Sequence, residues 1–401
     1  MLFSPVMNER GRSVLFISPQ PFFQWRGSPI RVRFDLKALG ELGYRIDLLT
    51  LPFGEDSPLP RVRIVRVPNP FFIQNIPIGP SVWKVAFGFM LLCKALMMAS
   101  RNRYDFVHCV EDAGIIGAIL RRTHGCRFIY EKHSDVSSYH NGPMRGFILH
   151  AYQKIEAIAI RKSDAVILGP GVLEVVRSMA PKANTHVLYS IPSSSVEATP
   201  EKIADLRDRI VRSTNDVVIT YVGSFARYQG IDLLIRAIPF VIAEHSNARF
   251  MIIGGTDREI AELRKQLTAV NVETRVVLPG KIHPDETPHY LGASDILLSP
   301  RLAGRTNPIK IFDYLKAGRP IVATNHPSNR RILDETTSVF TEATPECFAS
   351  GVIKLVRDRK LRQRLSQNGR RMIETRYNYD DFRRRLASCY DSVERSADEP
   401  D

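Results

Sequence analysis

Short apolar runs alternate with longer helical patterns along this chain, and the same order is found twice. Ser13–Ser18 (SVLFIS) reads as a first buried strand, and the loop Pro19–Pro29 follows it. A helix runs from about Ile30 to Leu42, Gly43 ends it, and Arg45–Thr50 (RIDLLT) is the next strand. Phe106–Cys109, Arg127–Tyr130 and Ala165–Leu168 continue the series. The pattern restarts with the strand Val217–Val222, the loop Gly223–Gly230 and a helix over Ile231–Glu244. Then come Phe250–Ile253, ending in Gly254 and Gly255, and the strands Val276–Leu278, Ile296–Ser299 and Ile321–Ala323. Wholly apolar strands separated by helices require a parallel sheet covered on both faces. The predicted fold class is therefore α/β, with two Rossmann-like domains facing across a cleft; a chain of 401 residues is in any case long for one core.

Ser190–Pro200 (SIPSSSVEATP) is rich in Ser and Pro, lacks periodicity, and reads as the linker. The expected domains are 1–190 and 197–376. Tyr377–Val393 reads as a last helix, and the segment 377–395 is expected to pack back on the first domain. Open parallel sheets take ligands at the carboxyl ends of their strands, so one domain is expected to hold a donor and the other an acceptor.

Composition narrows the function classes. The five cysteines are scattered and without close pairs, which argues against a disulfide framework or a zinc site and for a cytoplasmic protein. Residues 1–190 carry 24 Lys and Arg against 14 Asp and Glu, a surplus that suits an anionic partner such as a membrane surface or a phosphate-bearing acceptor. The basic residues are dispersed and not interleaved with aromatics, so nucleic acid is not expected. Met1–Arg12 has no apolar core of a secretory signal. Ser81–Ala99 is the most apolar stretch, interrupted by Lys84 and Lys94, which lie about 80° apart on a helical wheel. It reads as a buried helix with one wet edge, as a helix lying on a membrane surface, or as a span. No nucleophile elbow, Walker loop or zinc motif occurs, and Gly254-Gly255 lacks the dinucleotide fingerprint of a dehydrogenase.

The most informative stretch is Asn307–Thr324 (NPIKIFDYLKAGRPIVAT). Pro308 suits a first helical turn, the helix should run to Lys316, and Gly318 is its expected cap. Amides at such a start, here around Ile309, attract phosphate; Lys310 adds a charge, and Asp313 can accept from the vicinal hydroxyls of a ribose. The pattern fits a nucleoside diphosphate, or equally a capped helix with solvated charges.

This stretch resembles the donor motif of the retaining glycosyltransferase family 4 enzymes, which have the GT-B fold, and in particular a subgroup with an Asn-Pro-x-Lys turn. The resemblance implies a metal-independent, hexosyltransferase-type enzyme that needs no cofactor. It would move sugar with retention from a nucleotide-sugar, UDP-sugar being the commonest, to a glycan or lipid-linked acceptor, as in polysaccharide synthesis at the inner membrane face. Asp313 stands where the family has a ribose-binding glutamate, and Arg305 where it has another. Gly223–Gly230 is similar to the family's glycine loop, with Ser224 and Gln229 at positions usually held by arginine and lysine; Arg227 and Lys310 are expected to supply that charge. In Pro279–Ile282 the resemblance implies backbone contact with the base at Ile282. Phe22–Arg33 (FFQWRGSPIRVR) resembles the loop that closes over donor phosphate and acceptor, implicating Arg26, Gly27, Ser28 and Arg31. In Glu131–Ser134 (EKHS), His133 matches a histidine that touches the transferred sugar; a strand-end histidine can also be structural. The alternatives are a nucleotide-sugar epimerase of the same architecture and a non-catalytic partner subunit.

Overall fold

The computed structural model describes residues 11–20, 22, 27–56, 58–74, 76, 81–135 and 143–398. They form two compact units, Met1–Tyr189 with Asp380–Asp401, and Ser190–Tyr379.

In chain order the first unit holds β1 (Ser13–Ser18), α1 (Gly27–Glu41), β2 (Arg45–Thr50), β3 (Val62–Arg66), α2 (Val82–Arg101), β4 (Phe106–Val110), α3 (Gly114–His124), β5 (Arg127–Lys132), α4 (Pro143–Lys162), β6 (Ala165–Leu168), α5 (Leu173–Met179) and β7 (Thr185–Val187). The strands make one seven-stranded sheet in the order β3-β2-β1-β4-β5-β6-β7, every pair parallel. All positions of β1 and β4 are buried, as a sheet covered on both faces demands. Leu15 and Ile17 share a core with Phe87, Leu91 and Ala95 of α2 and Ile116 and Leu120 of α3. Phe16 points the other way and stacks on His108, its register partner, at 4.2 Å.

The second unit holds α6 (Pro200–Ile210), β8 (Val217–Val222), α7 (Ile231–Glu244), β9 (Ala248–Ile253), α8 (Asp257–Ala269), β10 (Val276–Gly280), α9 (Thr287–Gly292), β11 (Ile296–Ser299), α10 (Lys310–Lys316), β12 (Ile321–Thr324), α11 (Pro327–Arg330), β13 (Ser338–Thr341), α12 (Pro345–Arg357) and α13 (Arg359–Arg376). Its six-stranded parallel sheet runs β10-β9-β8-β11-β12-β13, the doubly wound order in which two three-strand halves meet between β8 and β11. Leu234 and Ile238 of α7 pack with Phe348 and Val352 of α12 over Ile219, Phe250 and Leu298. On the opposite face Val218, Met251 and Ile253 meet Ile210 of α6.

The last helix, α14 (Tyr379–Asp398), belongs to the first unit. Phe382, Leu386, Cys389, Tyr390 and Val393 are its buried stripe, at the spacing of one helical face. Tyr390 packs on Tyr44 and Phe106, with ring centroids 5.1 and 4.9 Å away.

Candidate functional site

In the second unit the loops after β8, β9 and β11 meet at the carboxyl edge of the sheet. The turn after β8 is drawn so close to that after β9 that a Cβ on Gly254 would lie 1.9 Å from Gly223 O; both glycines have positive φ, so no side chain fits there. Gly230 (φ 80°) is tied in the same way to the end of β11, where its Cβ would lie 1.8 Å from Pro300 O. Tyr314 fixes α10 to this edge: its hydroxyl accepts from Val222 N at 2.9 Å and lies 3.3 Å from Leu298 O. Lys310 is four residues earlier and therefore on the same helix face. Its ammonium sits 4.0 Å from the Tyr221 ring centroid and donates to Gln229 Oε1 at 3.3 Å.

The structure thus gathers four of the residues singled out by sequence: Gly223, Ser224, Gln229 and Lys310. Ser224 enters through its carbonyl, which accepts from Tyr221 Oη at 2.8 Å. Burial, and after it the neighbouring guanidinium of Arg301, hold the Lys310 ammonium well below the usual lysine range. Among the described residues no carboxylate pairs with Lys310. Asn307, just ahead, has an Oδ1 that is buried without a hydrogen-bond partner. The helix begins at Lys310, and turn bonds Ile311 N to Pro308 O (3.1 Å) and Phe312 N to Ile309 O (2.9 Å) extend it back to Pro308. Arg227 opens a short 3-10 turn with its side chain exposed, and Ile282 packs half-buried against the cluster of Ile210, Val218, Met251 and Ile253. Arg301, buried and donating Nε to Ala303 O at 2.9 Å, and the Tyr221 ring are parts of this site that the sequence did not single out.

Asp313 departs from expectation. Both its oxygens accept from Ser193 of the linker, Oδ1 from the amide at 2.6 Å and from Oγ at 2.9 Å, Oδ2 from Oγ at 2.9 Å. The carboxylate expected to grip a ribose here anchors the chain's entry into the second unit. Burial raises its pKa to about 6, against the opposing hydrogen bonds of Ser193. A separate hollow of about 410 Å³ lies at the opposite, amino edge of the same sheet, lined by Arg319, Arg359, Arg362 and Arg370. Two of these arginines serve helix ends: Arg319 donates to Gly292 O, and Arg362 to Val356 O at 2.8 Å.

In the first unit the loop read over Phe22–Arg33 is corrected. Helix α1 begins at Gly27, so Gly27, Ser28 and Arg31 are helical; Arg26 lies outside the described residues. Arg31 is buried, not presented to a ligand. Nη1 donates to Leu188 O at 3.1 Å, Nη2 lies 3.0 Å from Glu131 Oε1, and Nε lies 3.5 Å from Asp35 Oδ1. Four residues of helix spacing bring Asp35 under the guanidinium.

Glu131 is the centre of this cluster. Besides Arg31 it meets His108 Nε2 at 3.0 Å and His133 Nε2 at 2.9 Å. Burial alone would raise its pKa, but Arg31 and the two imidazoles outweigh that and hold it well below the ordinary carboxylate range. Asp35 is pushed well above that range by burial and then by Glu131, and so keeps its proton. Burial lowers His108, leaving it neutral. Glu131 can only accept, so His108 carries its hydrogen on Nε2 and takes the Tyr390 hydroxyl hydrogen on Nδ1, at 2.8 Å. His133 is placed from its backbone side as well: Glu111 Oε1 accepts its amide at 2.7 Å and that of Ser134. Glu111 adopts φ 51°, a conformation costly for a residue with a side chain, at the turn after β4. Asp35, Glu131 and His133 offer ligand atoms within 4.8 Å of one another, the kind of set that holds a metal ion. Here the Arg31 guanidinium already occupies a cation's place among them.

Two family models match the chain. Residues 34–168 match that described as Glycosyltransferase Family 4, and residues 216–358 that described as Glycosyl transferases group 1. An uncharacterized glycosyltransferase of Methanocaldococcus jannaschii is 22% identical over 365 residues, covering 87% of this chain and 90% of its own. Alpha-monoglucosyldiacylglycerol synthase of Streptococcus pneumoniae is 19% identical over 327 residues, covering 78% of this chain and 71% of its own. Among solved structures, sucrose-phosphate synthase from Thermosynechococcus elongatus superposes with a TM-score of 0.81 at 17% identity, covering 96% of this chain and 100% of that one. Anabaena HepE in complex with UDP and glucose gives 0.74 at 18%, covering 94% and 99%. The fold is GT-B.

Proposed function

The chain carries a glycosyltransferase domain in each half, and from that premise we propose that it transfers a hexosyl group, with retention and without a metal ion, from a UDP-sugar to a lipid-linked or cell-surface glycan acceptor. The observation that carries the donor reading is Lys310: a cation desolvated at the carboxyl edge of the second sheet, beside Arg301, with no carboxylate among the described residues to neutralise it. A diphosphate supplies the missing charge. In transfer, the bond from the anomeric carbon to the diphosphate breaks, and Lys310 with the amides at Ile309 and Lys310 stabilises the charge that develops on the leaving group. The acceptor oxygen bonds to the same face of the sugar, and its proton passes to a donor phosphate oxygen. UDP rather than another nucleotide is favoured by the complexes of HepE with UDP and with UDP-glucose. The acceptor role is assigned to the first unit, with His133 as its candidate contact to sugar. We place the protein in the cytoplasm. The matched models and relatives are described as transferases, which favours transfer over epimerisation or a non-catalytic role.

The test is calorimetric titration with UDP. Lys310→Ala should weaken binding by about 1.5–3 kcal/mol, the range for hydrogen bonds to charged groups. The pH dependence follows from the depressed ammonium. Bound phosphate raises the Lys310 pKa, so affinity is full below the free-state pKa and declines as pH rises through it. Lys310→Arg, which does not titrate, should flatten that decline. Equal UDP affinity in wild type and Lys310→Ala would remove the donor assignment.

A further inference from the structure

Helix α2 is apolar on the side that faces away from the core. Its inward stripe, Phe87, Leu91, Ala95 and Met98, is buried against the first sheet. At 100° per residue the opposite side carries Val82, Val85, Ala86, Phe89, Cys93 and Met97, with no charged residue before Arg101. A helix on a water-exposed surface normally turns polar residues outward. Here Val82, Val85 and Phe89 are 80%, 74% and 66% exposed. The helix is about 30 Å long. Near its start, exposed Phe71 and Trp83 pair at 5.2 Å, and Phe72 is 89% exposed. The surface is thus a continuous apolar strip with aromatic rings at one end, larger than the scattered hydrophobes of an ordinary surface.

The stretch of chain that carries this strip has charges of one sign only. Residues 57–104 contain no Asp or Glu and seven Lys and Arg. Arg101 and Arg103 are exposed at the carboxyl end of α2. Ser100 there meets His124 of α3 at 3.3 Å, which brings the exposed Arg122 to the same end. Lys84 is engaged by Asp112 at 3.3 Å. A second copy of this chain docked face to face would set these positive rims against each other. A sheet of anionic lipid headgroups satisfies both features at once, taking the apolar strip below the headgroups and the arginines at their level.

We infer that the outward face of α2, with Phe71, Phe72 and Trp83, is the surface by which this protein lies on an anionic lipid bilayer. The inference deepens the proposed lipid-linked acceptor and rests on it, but the test reads lipid binding alone. Wild type and the double variant Val85→Glu, Phe89→Glu are floated with vesicles of phosphatidylcholine, with and without phosphatidylglycerol; light scattering gives the mass in solution. Wild type should float with the anionic vesicles, about tenfold less with neutral ones or in high salt. The variant should lose about tenfold or more while keeping its melting temperature and its UDP-induced thermal shift, since both substituted side chains are exposed. Wild type left in the supernatant, or a variant that floats equally well, overturns the proposal. So does a wild-type dimer that the variant dissolves, without vesicle binding. Flotation that holds while neither protein shifts with UDP upholds the lipid surface and counts against the donor assignment.

Discussion

At the scale of single residues, the first unit shows how burial assigns protons. Four ionisable side chains, Arg31, Asp35, His108 and Glu131, are buried together, and only one opposite pair is left charged: Arg31 with Glu131. Replacing the two carboxylates should therefore have unequal effects. Asp35→Asn exchanges one neutral group for another and should change stability by less than about 1 kcal/mol. Glu131→Gln leaves Arg31 buried without a counter-charge and should cost about 3–5 kcal/mol. Denaturant unfolding of the two variants decides this, and equal losses would show the proton assignment to be wrong. The depressed Glu131 pKa also sets the pH window: the stabilisation is present at and above the ordinary carboxylate range, and is lost as acidification passes the folded-state pKa. Glu131, near the end of β5, and His133, just past that end, are two apart and turn to the same side, while Lys132 between them turns to Glu156. That spacing was the signal in the sequence that could have joined Glu131 to His133.

At the scale of elements, α14 is tied to the centre of the first sheet. Tyr390 fills the space beside Tyr44 and Phe106 and gives its hydroxyl hydrogen to His108, 282 positions away. Two substitutions separate packing from hydrogen bonding. Leu386→Ala removes a fully buried side chain and should cost about 3 kcal/mol. Tyr390→Phe keeps the ring but leaves His108 Nδ1 unpartnered in a dry site, for about 1–2 kcal/mol. Both are read from the unfolding midpoint of the first unit; an unchanged midpoint in Leu386→Ala would contradict the docking of α14. Strand β3 was not read from the sequence because Arg63 and Arg66, three apart, interrupt its apolar residues and leave neither a continuous apolar run nor a period of two; Arg63 reaches Asp47 at 2.7 Å from the edge of the sheet. Strand β7, three residues at the other edge, is too short to show a period. The helix after β1 starts three residues before the expected Ile30, because Gly27 and Ser28 join a helix whose packing, not their propensity, decides its start.

At the scale of the whole molecule, each unit has its own sheet and its own core, so a ligand of one should leave its mark there. Saturating UDP, at about one hundred times its Kd, stabilises the binding form by about 2.7 kcal/mol. Hydrogen exchange should then slow in the second unit around the ends of β8 and β11, which lead into Gly223 and Arg301, and around α10, which begins with Lys310. Protection confined to the first unit would move the donor site there.

What the sequence settled by itself was local. Apolar runs of strand length, helical periods between them and a Ser/Pro-rich break are properties of neighbouring residues, and they were enough to predict two Rossmann-like halves. The turn proposed to meet the donor could be singled out for the same reason, since Asn307, Pro308 and Lys310 are close together in the chain. What only the tertiary structure decided was which buried charge meets which partner. Arg31, read as a ligand-facing charge, is consumed by Glu131, and Asp313, read as a ribose clamp, by Ser193. These pairs join residues about a hundred positions apart. Their protonation depends on how much water the surrounding core excludes, and no local pattern encodes that quantity.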